Sequence, residues 1–225
     1  MKNLIVHPKD PTTNFLSPIY ASLTNKTIVR GGITKSELRE LIESHDRVIM
    51  LGHGSPYGLL NLCQFPDAGS YIIDDSMVSL LINKSNCMYI WCYSDQFVKR
   101  HGLNGLCSEM FISEVGETIY NGFEDIGWDL INQSNEGFAR IISKYLNEPM
   151  EILYQKLLYE YELIARTNPI ARFNLERIYL LIREPIKRLL SINDCRMDCH
   201  NQNGVRNHRS QINLGSSAKN IIFIF

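Results

Sequence analysis

Two side chains of types that do covalent chemistry each follow a short apolar run in this sequence. His53 comes after Val48-Ile49-Met50-Leu51, inside Gly52-His53-Gly54. Cys92 closes a second run, Met88-Tyr89-Ile90-Trp91, about 40 residues further on. A cysteine is a weak nucleophile at its free pKa and a strong one when a neighbouring histidine takes its proton. Attack on a carbonyl creates an oxyanion, which needs backbone donors. A glycine directly after the histidine lets the chain turn tightly and expose its N–H, so Gly54 can supply one donor. The amide of Cys92, at a strand end, can supply the second. The chemistry within reach is acyl transfer through a thioester.

Such chemistry requires elements that bring the two residues together. Apolar runs of this length bounded by turn residues read as buried parallel strands. In open parallel sheets, ligands collect at the carboxyl ends of the strands. If the strands at 47–51 and 88–91 are neighbours, His53 and Cys92 emerge on one edge. Around them, 3–7 and 27–30 read as further strands, and 15–23 as a short helix. Thr34-Lys35-Ser36-Glu37 has the form of a capping box and opens an amphipathic helix over 35–44. Residues 58–62 and 71–73, separated by Pro66-Asp67-Ala68-Gly69, read as a small hairpin outside the main sheet. Asp74 or Asp75 caps a helix bearing Met77, Val78, Leu81 and Ile82. Asp95 can cap a short helix that Gly102 ends; 106–112 is a fifth strand, and 116–129 is loop and short helix. The last third reads as helical. Phe138, Ile141, Ile142 and Tyr145 mark one helix, and 149–165 follows the i, i+3, i+4, i+7 rule. Asn168-Pro169 opens a third, expected to run to about residue 183.

This alternation predicts an α/β fold, a three-layer α/β/α sandwich on a mainly parallel sheet with a C-terminal helical region. The expected division is a core over 1–133, helices packed on it over 134–192, and a tail over 193–225. That tail is polar until its apolar end at 221–225 and reads as flexible, with a docked terminal strand as the alternative.

Composition narrows the function classes. The 225 residues are 44% hydrophobic and carry a net charge of −1, which gives no electrostatic footprint for nucleic acid or membrane. No apolar run approaches the roughly 18 residues a membrane span requires. The start, MKNLIVHPKD, meets Pro8 and charge too early for a secretory signal. Six cysteines, at 63, 87, 92, 107, 195 and 199, have irregular spacing that suits reduced thiols, and Cys87 and Cys107 read as core residues. A cytoplasmic protein is expected. Cys195, Cys199 and His200 form half a metal site without a second ligand pair beyond His208, so no metal and no organic cofactor is expected.

The blocks VIMLGHG and MYIWC followed by Tyr93 and Ser94 resemble, in order and spacing, the caspase-like cysteine peptidases: caspases, legumains, clostripain, gingipains and separases. The resemblance covers roughly residues 3–112. It implies His53 as acid and base, Cys92 as nucleophile, and the Gly54 and Cys92 amides as oxyanion hole. Trp91 departs from the small residue usual in these families, and the Gln-Ala-Cys-x-Gly signature of caspases is absent. Three other functions of a His-Gly loop fit less well. A phosphate cradle would want more glycine and a following helix, where Pro56 stands. An α/β-hydrolase would need a Gly-x-Ser-x-Gly elbow. The chelatases of sirohydrochlorin type carry His-Gly-Ser after their first strand, and here it follows about the third.

Asp95, Glu109, Glu114, Glu124 and Asp125 follow the nucleophile with no basic cluster facing them, which favours a basic residue before the scissile bond. Ser94, Asp95 and Asp125 are the candidate substrate contacts, and the partner is a peptide or protein substrate. The alternative function is an inactive caspase-like interaction module that binds, or oligomerises, through its C-terminal helices.

Overall fold

A computed structural model describes residues 1–183 and 223–224. Among these, one sheet of seven strands dominates: β1 Asn3–Val6, β2 Lys26–Val29, β3 Arg47–Leu51, β7 Met88–Ile90, β8 Gly105–Ser108, β9 Ile178–Ile182 and β10 Phe223–Ile224. Their order is β10-β9-β8-β7-β3-β1-β2, and every neighbouring pair is parallel except β8 with β9. A small antiparallel sheet, β4 Gly54–Ser55, β5 Gly58–Leu60 and β6 Tyr71–Ile73, stands apart as the expected hairpin plus one strand.

The near-continuous apolar runs arise because both faces of the large sheet are covered. Ile5, Ile49, Leu51, Met88 and Ile90 face one core, while Leu4, Val6, Val48, Met50 and Tyr89 face the other. The first core is closed by α1 (Pro18–Ala21), α6 (Trp128–Tyr145), α7 (Met150–Ala165) and α8 (Pro169–Leu175). The second is closed by α2 (Lys35–Ser44), α3 (Val78–Leu81), α4 (Ser94–Arg100) and the small sheet. A further short helix, α5 (Val115–Tyr120), lies between β8 and α6. The chain is thus mixed α/β with a mainly parallel sheet and helices on both faces. The helices after 134 share one core with β1, β3, β7 and β8.

Residues 178–182 are a strand, where the third C-terminal helix was expected to continue to about 183. The helix ends at Leu175, and Ile178-Tyr179-Leu180-Leu181-Ile182 pairs antiparallel with β8. A five-residue apolar run is ambiguous by periodicity, and here the unpaired edge of β8 decides it. The strand expected over 106–112 stops at Ser108, and the expected helix after Asp74 is a 3-10 turn followed by the single turn of α3. Most of the 193–225 tail and the Cys195–Cys199–His200 group lie outside the described residues. Phe223 and Ile224 run parallel to β9, the docked alternative.

Strand β1 has β2 on one side and β3 on the other, so the chain reverses direction across the sheet at β1/β3. A crevice opens at such a switch point beyond the carboxyl ends of the strands. Four consecutive neighbours, β1, β3, β7 and β8, all end on that edge.

His7 leaves β1 there and is fully buried, with Nδ1 against the Tyr20 hydroxyl (2.9 Å) and Nε2 against Thr13 Oγ1 (3.2 Å). Burial, reinforced by Arg30, lowers its pKa to about 4. Between pH 6.5 and 4 the unfolded chain therefore binds a proton the folded chain refuses, so stability is complete above 6.5 and falls as pH drops through this window. The expected loss is on the order of 2–3 kcal/mol. Thermal melts at pH 7 and pH 4.5 should show a larger drop for the wild type than for His7→Gln. Equal drops would assign the acid sensitivity to other groups.

Candidate active site

Leu51 pairs with Ile90 in the β3/β7 ladder, and the Gly52 amide continues it by donating to the Ile90 carbonyl at 3.1 Å. His53 and Cys92 each stand two residues past that pair, so they leave neighbouring strands at the same level on the same edge. Trp91 joins the two segments. Its indole is 2% exposed, and its Nε1 donates to the Ser55 carbonyl at 3.0 Å. Its ring lies so close to Gly54 that a Cβ there would come 2.0 Å from Trp91 Cδ1. The large residue that departs from the caspase-like pattern is thus a clamp on the histidine loop, and only glycine fits beneath it. A second close approach holds the hairpin shut: a Cβ on Gly58, whose φ is +148°, would meet the Ile73 carbonyl oxygen at 1.9 Å.

Cys92 is followed by Tyr93 in the left-handed region (φ 64°), after which α4 begins at once. For a bulky residue this is a strained conformation, of the kind that persists at functional turns. Ser94 holds the turn down: fully buried, its hydroxyl lies against the Tyr89 and Ser108 carbonyls and accepts from the Ser108 amide. Cys92 is half-buried, with Sγ 3.9 Å from the Phe111 carbonyl. Burial pushes its thiol up to about 11; the Phe111 contact opposes the rise, while the Glu117 and Glu114 carboxylates add to it. The resting group is a thiol.

Leu60 donates to the His53 carbonyl at 2.9 Å, which makes Gly54 and Leu59 a non-hydrogen-bonded pair of the antiparallel ladder. The Gly54 N–H therefore turns away from β5.

The imidazole of His53 is oriented by residues that sequence reading missed. Its Nε2 lies 2.7 Å from Thr12 Oγ1, and Thr12 donates its only hydroxyl proton to Asp10 Oδ1, also at 2.7 Å. Thr12 must then accept from His53, which places the ring proton on Nε2 and leaves Nδ1 of the neutral ring with a free lone pair. Burial raises the Asp10 carboxyl, but the hydrogen bonds from the Thr12 hydroxyl and amide, with smaller contributions from the nearby His53 and His7 rings, outweigh it and hold it below the usual range. Asp10 Oδ2 and Glu114 Oε1 each stand 3.7 Å from His53 Nε2. The signal for Asp10 and Thr12 was Asp-Pro-Thr just after a strand that turned out to neighbour β3.

The other expected substrate contacts fall elsewhere. Ser94 is consumed by backbone carbonyls, as described. Asp95, 5% exposed, faces away into the sheet and pairs with Lys99 at 2.9 Å, one turn along α4. Asp125 is exposed on the loop after α5. Glu109 accepts from the Tyr179 hydroxyl at 3.0 Å. Of the carboxylates singled out from the sequence, Glu114 is the one beside His53. Its neighbour Glu117 is tied down by the amides of Ser113 and Glu114, at 2.7 and 3.1 Å. Cys87 and Cys107 are fully buried, and burial raises both thiols.

Within the described residues, no three His, Cys, Asp or Glu side chains converge as a metal site, and no helix is long and apolar enough to cross a membrane. No protein-family model, curated protein or solved structure matches the chain.

Proposed function

We propose that the chain is a cysteine endopeptidase of the caspase-like kind, acting through a His53–Cys92 dyad on peptide bonds that follow a basic residue. The observation that carries this reading is the shared level of His53 and Cys92, each two residues beyond the Leu51–Ile90 pair on adjacent parallel strands. In the resting protein Cys92 is a thiol and His53 is engaged by Thr12. The imidazole therefore acts as a general base in the substrate complex, where catalytic hydrogen bonds tighten.

His53 Nδ1 takes the thiol proton as Cys92 Sγ bonds to the carbonyl carbon. The Gly54 amide, with that of Cys92, holds the oxyanion. Collapse breaks the C–N bond, and His53 returns the proton to the leaving amine. Water, deprotonated by His53, then cleaves the thioester and restores the thiol. Every step uses protein groups and water, acting on a peptide or protein substrate.

A peptide carrying an acyloxymethyl ketone after arginine tests this reading, because the sequence supplies its own control. Cys63 is an exposed free thiol and should react with simple alkylators, whereas the peptide reagent should modify Cys92 selectively, and not in His53→Ala. Modification that follows exposure alone, with Cys63 ahead of Cys92, would leave the inactive interaction module as the better reading.

A further inference from the structure

Directly beside the dyad is a cleft of about 300 Å³ lined by Pro11, Thr12, Phe15, Ser113, Glu114, Trp128, Asn132 and Asn135. Two contacts join it to the reacting groups. Thr12 lines it and bonds His53. Phe15 lines it and stacks on Phe111 (centroids 6.3 Å apart), whose carbonyl receives the Cys92 thiol. We propose that this cleft holds the side chain preceding the scissile bond and that its ligand is a guanidinium group, an assignment that rests on the peptidase reading above.

Three features of the lining specify that chemistry. The one charged lining residue is Glu114, an anion with part of its side chain open to solvent. Asn135 is 4% exposed; its Nδ2 donates to the Ser113 carbonyl at 3.0 Å, and its Oδ1 has no hydrogen-bond partner among the described residues. Flipping the amide would set Oδ1 against the Ser113 carbonyl, so the unpaired group is the acceptor. A buried acceptor without a donor costs about 1–3 kcal/mol, and an N–H donor brought to Asn135 from the cleft would offset that cost. Trp128, 57% exposed although it is a large apolar side chain, brings an indole to the lining. A carboxylate, an unpaired amide oxygen and an indole together suit a planar cation with several N–H donors. An ammonium would satisfy the carboxylate but has no plane to lay on the indole. A carboxylate side chain would meet Glu114 with like charge.

The test uses the Cys92→Ala protein, so that binding is read without turnover. The chain has two tryptophans, and Trp91 is buried, so ligand entering the cleft should alter the emission of Trp128. Titration with arginine amide is expected to saturate, lysine amide to bind several-fold more weakly, and the uncharged isostere citrulline amide to give no saturable signal. Glu114→Gln should weaken arginine amide at least about tenfold, and Asn135→Leu should narrow the preference for arginine over lysine. Equal binding of arginine and citrulline amides, or unchanged affinity in Glu114→Gln, would overturn the assignment. If Asn135→Leu melts early, Glu114→Gln decides. The two readings fail separately. Guanidine binding in a protein whose Cys92 ignores the peptide reagent would keep the pocket and remove the peptidase. Labelling of Cys92 without cation selectivity would do the reverse.

Discussion

Cys92→Ala and His53→Ala are each expected to lower kcat/KM on an arginine-containing peptide by roughly four orders of magnitude, and the double variant by no more than that. Residues that act as one unit show such non-additivity, because removing either ends the same step. The two variants should differ in their pH response. The wild-type thiol is pushed up to about 11 by burial, with Glu117 and Glu114 adding to the rise. Without His53 to take the proton, turnover would depend on spontaneous ionisation. The residual rate of His53→Ala should then climb steadily with pH towards 11, while that of Cys92→Ala should not. Gly54→Ala probes the same geometry from outside the dyad. Its Cβ would strike the Trp91 ring, and the loop carrying His53 must move. A displacement of about 1 Å at a reacting group can cost on the order of 10²-fold. A Gly54→Ala variant with wild-type kinetics would show that the Trp91 clamp does not position the histidine.

The second large effect is on folding. Ending the chain at residue 148 removes β9, the antiparallel neighbour of β8, and all of α7 and α8. On α7, Met150, Leu153, Tyr154, Leu157, Tyr161 and Ala165 are buried, in one cluster with Ile5, Ile49, Met88 and Leu106 of the sheet. At roughly 1.5–3 kcal/mol for each large side chain, their burial is worth on the order of 10 kcal/mol, comparable with the whole stability of a domain of this size. The truncated chain is expected to lose cooperative unfolding and to expose apolar surface to a fluorescent dye. The single variant Leu157→Ala, at a fully buried position, should cost about 2–5 kcal/mol. A truncated chain with an intact melting transition would mean that the sheet domain is sufficient without these helices.

Much of this architecture was legible in the residues. Strands β1, β3 and β7 are apolar runs that both faces of the sheet bury, and a run closed by Gly52 or by the turn after Cys92 has few other places to go. The capping box at Thr34 and Glu37 forms as written, with both reciprocal bonds present, because its partners lie within one turn of helix. For the same reason the ends of β3 and β7 revealed His53 and Cys92, since a strand end is a local feature. What local pattern could not decide was everything that depended on neighbours. Ile178–Ile182 became a strand because β8 had an open edge, a fact nowhere in those five residues. Asp95 stands three positions from Cys92, yet the turn at Tyr93 carries it down the first turn of α4 to Lys99, while Glu114, much further along the chain, returns to His53. Asp10 and Thr12 orient the imidazole only because β1 lies beside β3. Short-range periodicity and capping set the elements and the residues at their ends. The order of strands in the sheet, fixed by burial of both faces, chose which side chains those ends would meet.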